Sequence, residues 1–160
     1  MLNSDHINPI TEEFGDMIGV PGLQLDTDGR ASLKVGQLDV GLLLDREDQQ
    51  IFWLFVSFGE LSDDEEAPAF LMQVNFLSWL GDTMTIAIDE DGPGDGYRVI
   101  GYNAIPTSIL SAEILSHSFQ RFCNAALVIH SRLDAADYSP LDESLVTDAP
   151  SIPMDAMFRV

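Results

Sequence analysis

The sequence holds a single cysteine, Cys123, so it forms no internal disulfide and fits a reducing compartment. Basic side chains are scarce as well: seven Lys and Arg stand against 27 Asp and Glu, a formal net charge of −20. Nucleic-acid binding relies on clustered Lys and Arg at the phosphates, so this balance argues against it, and against an anionic membrane surface for the same reason. No apolar run approaches the roughly 20 residues of a membrane-spanning helix. The opening stretch MLNSDHINPITEEF has no basic segment leading into a hydrophobic one, so no secretory leader is expected and a cytoplasmic location is. Catalytic signatures are missing too: there is no G-x-S-x-G, H-E-x-x-H or Walker loop.

What the chain does have is grease. Hydrophobic residues make up 46% of its 160 residues, enough for the core of one domain and too many for global disorder. High negative charge keeps such a chain soluble and steers it toward basic partners.

Apolar spacing sets the expected elements. Ile7, Ile10, Phe14, Met17 and Ile18 form one stripe of a helix over residues 5–19, with Asp5, Glu12 and Glu13 on its polar side and Gly19, Pro21 and Gly22 as its stop. Leu23 to Leu25, the turn Asp26-Thr27-Asp28-Gly29 and Ala31 to Val35 read as a hairpin. Leu38, Val40, Leu42 and Leu44 alternate as a further strand, and Ile51 to Phe58 (IFWLFVSF) follows after a polar turn. That last strand is apolar on both faces, with Ile51, Trp53 and Phe55 on one and Phe52, Leu54, Val56 and Phe58 on the other, so its second side needs a cover.

Ser62 to Glu65 fit a capping box ahead of a helix reaching about Leu80. The helix carries two stripes, Phe70, Leu71, Val74 and Leu77 on one side and Met72, Phe76 and Trp79 on another, which predicts two burial partners. A sheet can take one, and a second subunit the other. Strands over Met84–Ile88 and Tyr97–Ile105 flank the turn at Asp89–Gly96, and Thr107 or Ser108 is expected to cap a last helix bearing Leu115, Phe119, Phe122, Ala126, Ile129 and Leu133. The expected architecture is α+β, a twisted antiparallel sheet with three helices in the order α-β-β-β-α-β-β-α. Residues 1–133 form this domain, and residues 134–160, acidic and broken by Pro140, Pro150 and Pro153, form a flexible tail.

Possible chemistry is thin. Glu113 and His117 stand one helical turn apart, a spacing more common for a surface contact than for a metal. Gly92-Pro93-Gly94-Asp95-Gly96 has the wrong glycine spacing for a dinucleotide loop, and Pro93 takes a ligand position of the calcium loop hinted at by Asp89-Glu90-Asp91-Gly92. Cys123 lies among Phe119, Phe122 and Ala126 as a small buried hydrophobe. Neither metal nor cofactor is expected, and no catalytic residue is assigned. An enzyme using acid pairs such as Asp63/Asp64 or Asp89/Asp91 is the weakest reading, because turn carboxylates are solvated.

The element order resembles that of the class I chaperones of bacterial type III secretion, the Tir-chaperone-like family. The local match runs from Phe14 to Leu33 (FGDMIGVPGLQLDTDGRASL), where that family ends a first helix in a Leu-Gly-like step and opens its sheet with an apolar-x-apolar-Asp-x-x-Gly turn. The resemblance spans about residues 5–133 and implies a homodimer in the bacterial cytoplasm. Its contact would map to Met72, Phe76, Trp79, Met84, Ile86 and Ile88. It also implies a partner: the N-terminal segment of a secreted effector, held extended and delivered to the secretion ATPase. Grooves for such a segment are expected on the first helix (Ile10, Phe14, Ile18) and the early strands (Leu33, Val35, Val40, Leu42), with strand addition at a sheet edge. The competing reading is an acidic immunity protein or inhibitor that blocks a basic toxin or nuclease; its binding would weaken sharply with salt.

Overall fold

A computed structural model of the chain describes residues 4–45, 47, 49–61, 66–77, 83–89 and 97–141. Among these lie three α-helices, α1 (Ser4–Ile18), α2 (Glu66–Phe76) and α3 (Ala112–Asp134), and five strands, β1 (Arg30–Val35), β2 (Leu38–Leu44), β3 (Ile51–Glu60), β4 (Thr85–Asp89) and β5 (Arg98–Pro106). The strands form one sheet in the order β1-β2-β3-β5-β4, with every neighbouring pair antiparallel. The α+β class and the element order agree with the sequence expectation.

Burial along the strands follows the two-residue pleat. In β1 and β2, Leu33, Val35, Leu38, Val40, Leu42 and Leu44 are buried; in β3, Phe52, Leu54 and Val56 are. These side chains share the face covered by the helices. Phe14 of α1 meets Phe119 of α3 edge-on at 5.2 Å between ring centroids, joining the two helices over the sheet. Phe122, Leu115 and Ile129 continue the buried stripe of α3, as its periodicity predicts.

Several local expectations are corrected. Leu23 to Leu25 do not pair as a strand. They pass beneath α1, where Leu23 and Leu25 are buried and the Leu25 N–H donates to Asn8 Oδ1 (3.1 Å). The Asp26–Gly29 turn is real, but it feeds β1 from this irregular segment. Asp26 Oδ1 accepts from the N–H groups of Asp28 and Arg30, and Gly29 takes the positive φ of 73° that closes the turn. The true hairpin is β1–β2, turning at Gly36-Gln37. The last helix is capped by Ser111, whose Oγ accepts from Ile114 N–H, while Thr107–Ile109 form a 3₁₀ turn. Met17, expected in the core stripe of α1, is 48% exposed, because the stripe is narrower than its apolar residues.

The end of α3 is tied back to α2. Ala136 adopts a positive φ of 48°, which turns the chain so that Tyr138 packs against Phe70 at 5.7 Å. Arg132 Nη1 donates to Asp137 Oδ2 (2.5 Å) and also bonds Ser139 Oγ. The described part of the acidic tail, up to Leu141, therefore rests on the domain; residues 142–160 lie outside the described residues.

Candidate interaction surface

Among the described residues, the helices cover one face of the sheet and leave the other open. On it, β3 presents Ile51, Trp53, Phe55 and Ser57, and the register sets Leu43 of β2 beside Trp53, and Tyr102 and Ile100 of β5 beside Phe55 and Ser57. All of these are at least partly exposed, and Phe55 is 37% exposed. They shield one another: Trp53 meets Tyr102 edge-on at 5.8 Å, and the ring of Phe55 lies across Gly41 of β2. A contiguous aromatic band facing water on a sheet is uncommon in a lone soluble domain, because each such ring gains roughly 1.5–3 kcal/mol when fully buried. The doubly apolar strand read from the sequence thus has one face closed and the other open.

Charge around the band is mixed rather than purely acidic. Arg30 and Lys34 stand on the same side of β1, and Lys34 pairs with Asp39 at 3.7 Å, an exposed ion pair of little energetic weight.

A second apolar surface lies on α2. Phe70, Leu71 and Val74 are buried against the sheet, whereas Met72 and Phe76 point away and are 60% and 81% exposed. Ile88, on the adjoining strand β4, is 46% exposed. Met84 and Ile86, grouped with them in the expected dimer contact, are instead buried in this chain; Trp79 and the expected capping box at Ser62–Glu65 lie outside the described residues.

The residues expected to line a groove for an extended segment occupy a different position. Phe14, Ile18, Leu33, Val35, Val40 and Leu42 are all buried in the core of one copy, and Ile10 is half-buried against it. The structure brings them together, but on the closed side of the sheet. The open side carries their odd-numbered counterparts on β3, which the sequence marks only through the unbroken run IFWLFVSF.

Cys123 is buried, and burial pushes its thiol well above the ordinary range, so it stays protonated and unreactive. Glu113 and His117 are both exposed on α3. Asp137 is held below the usual carboxylate range by Ser139, which bonds it through side chain and backbone, with Arg132 adding to the effect. A cleft of about 190 Å³ lies between the ends of β3 and α3, walled by Phe58, Leu61, Val99, Leu133 and Tyr138 with Glu60, His130 and Asp134 at its polar parts.

Comparison with known proteins bears on the whole arrangement. The sequence model of the Tir chaperone protein (CesT) family matches residues 10–127. No curated protein matches the chain significantly by sequence. The chain is similar in structure to one in the ExsC–ExsE complex, with a TM-score of 0.63 and 24% identity over 83% of this chain and 97% of that one. It is also similar to one in the HopA1–SchA chaperone–effector complex, with a TM-score of 0.63 and 15% identity over 82% and 99% of the two chains. A third similarity is to the Yersinia pestis type III secretion chaperone SycH in complex with a fragment of YscM2, with a TM-score of 0.57 and 17% identity over 76% and 98%. At these identities the structural likeness speaks to the fold.

Proposed function

The chain belongs to the Tir chaperone protein (CesT) family, and from that footing we propose that it is a type III secretion chaperone. In this reading it holds an extended N-terminal segment of one or more secreted effectors in the bacterial cytoplasm and delivers it to the secretion ATPase. Similar folds occur in a chaperone–effector complex and in a type III secretion chaperone bound to a protein fragment.

The single observation that carries the reading is the aromatic band on the uncovered face of the sheet. An extended segment can lay alternate apolar side chains on Trp53, Phe55 and Tyr102. Four to six such contacts, at roughly 1.5–3 kcal/mol each, offset the several kcal/mol lost on ordering the segment. The groove residues expected from the sequence (Phe14, Ile18, Leu33, Val35, Val40, Leu42) then act as the rigid backing of that surface, and Ile10 lies at its margin. A homodimer forms through the exposed face of α2, with Met72, Phe76 and Ile88 in the contact. The net charge of −20 keeps a protein with two open apolar surfaces in solution.

Purification of the chain from its source cell, followed by limited proteolysis of what comes with it, tests this. The reading expects a protected N-terminal segment of a secreted protein, lost when Phe55 is replaced by Glu. Recovery of a fully folded basic protein that dissociates sharply with salt would favour the inhibitor reading instead.

A further inference from the structure

Two backbone irregularities frame the cleft between the ends of β3 and α3. On the strand side, the β3–β5 register shifts between Ser57 and Gly59, and Gly59 takes a positive φ of 88°. A bulge of this kind bends the strand and re-aims the side chains that follow, here Glu60 and Leu61. On the helix side, Ala136 takes a φ of 48°, the sole positive value outside glycine among the described residues. It folds the chain back after α3 and brings Tyr138 to the cleft as a wall.

The lining is of two kinds. Val99 is buried, and Phe58, Leu133 and Tyr138 are half-buried around the apolar part. Glu60, His130 and Asp134 supply the polar part, and both carboxylates are exposed. The nearby cations are drawn elsewhere. Arg132, in the last turn of α3, donates to Asp137 and Ser139. Arg98 lies between Glu60 and Asp89 in the ladder, one cation facing two carboxylates. The C-terminal end of α3 adds the negative pole of its helix dipole. At about 190 Å³ the cleft is smaller than the roughly 300–1,000 Å³ of a cofactor pocket, and it suits one long side chain.

We propose that this cleft receives the side chain of an arginine from a partner polypeptide. The aliphatic stem lies along Val99 and Leu133, and the guanidinium plane stacks on Tyr138. Glu60 and Asp134 accept its N–H groups. An apolar hollow alone would take any aliphatic chain; the two carboxylates select a cation. Lysine has the stem but lacks the planar fork, so it fits less well. The escort reading supplies only the identity of the polypeptide, a client segment that carries an arginine. The pocket is measured in the free chain, so its failure leaves that reading in place.

Titration of the full chain with Nα-acetyl-arginine methylamide, followed by nuclear magnetic resonance, tests it. The expected result is saturable shifts of the Val99 and Leu133 methyl signals, with a dissociation constant of about 1–10 mM. The norleucine analogue, which has the stem and no charge, binds at least tenfold more weakly, and the lysine analogue falls between the two. Glu60→Gln combined with Asp134→Asn changes little in shape at two exposed positions. This variant keeps the wild-type melting temperature and binds the arginine probe at least tenfold more weakly. Shifts that rise without saturating, or that saturate away from the cleft, overturn the inference. So does equal binding of the norleucine or lysine analogue, or full affinity in the double variant.

Discussion

Phe55 of β3 and Gly41 of β2 are register partners, and the ring of one occupies the space that a side chain on the other would need. A Cβ at position 41 would fall 2.1 Å from Cζ of Phe55 and 2.3 Å from Cε1. The glycine lets the ring lie down across the neighbouring strand, which widens the aromatic surface without raising it. The open face of the sheet is thus a low, continuous platform, suited to an extended segment laid along it.

The first prediction concerns that platform. Phe55→Glu leaves the fold intact, because the ring packs outside the core, and weakens client binding by about tenfold to a hundredfold, the equivalent of losing one buried aromatic. Val40→Glu, one strand over but on the closed face, unfolds the protein by burying an unpaired charge. Circular dichroism and a client pull-down on the two variants separate these outcomes. Loss of fold in both would place Phe55 in the core.

Gly41→Val should act through Phe55 rather than through the backbone. Its side chain displaces the ring, so client affinity falls while the melting temperature moves by a few degrees at most. A loss of stability as large as that of a core substitution would contradict this.

A third prediction addresses assembly. Phe76, at 81% exposure, is the most exposed large apolar residue of α2. Phe76→Glu should convert a dimer to a monomer of 17.6 kDa in sedimentation at micromolar concentration. A wild-type chain that already sediments as a monomer would remove this role for α2.

The fourth concerns the segment after α3. Tyr138→Ala removes the ring that joins α2 to α3, at a cost of ~1–2 kcal/mol, and should lower the melting temperature by about 3–6 °C. The supporting Asp137 is depressed in pKa in the folded state. Its contribution is therefore present above the ordinary carboxylate value and lost as pH falls through the lowered one. Asp137→Asn should flatten that acid limb, read as the exchange rate of the Ser139 amide against pH. An identical limb in the variant would show that other carboxylates cause it.

Cys123 offers a probe of the core. Its buried, protonated thiol should react with a disulfide reagent only as fast as the protein opens, and at once in denaturant. Rapid reaction of the native chain would mean that α3 is not packed as described.

Much of this architecture was legible in the sequence because its signals are local and periodic. The stripe on α3 and the alternation in β2 each fix an element and its buried face without knowledge of neighbours. Of the two stripes of α2, Phe70, Leu71 and Val74 are buried as the first requires, and Met72 and Phe76 of the second are exposed in this chain, with Trp79 outside the described residues. What was not legible depends on contacts distant in sequence. Leu23 and Leu25 alternate as a strand would, yet Asn8, 17 residues from Leu25, takes the Leu25 amide and holds the segment under α1. The site suffered the same way: Val35 and Val40 look as available as Trp53 and Phe55, because hydrophobicity alone does not say which face of a sheet the helices take. Asn75 of α2 had no sequence signal, since its hydrogen-bond partner Ile86 belongs to another element, β4.

The most direct test of the central claim uses the native fluorophore on the open face. In a Trp79→Phe variant, Trp53 is the remaining tryptophan of the two in the chain. Acrylamide quenching of Trp53, measured free and in complex with the co-purified effector segment, reports whether that face is covered. The account predicts clear quenching in the free protein and a severalfold drop in the quenching constant when the segment is bound. Equal quenching in both states would mean that the client binds elsewhere and that the open face is not its seat.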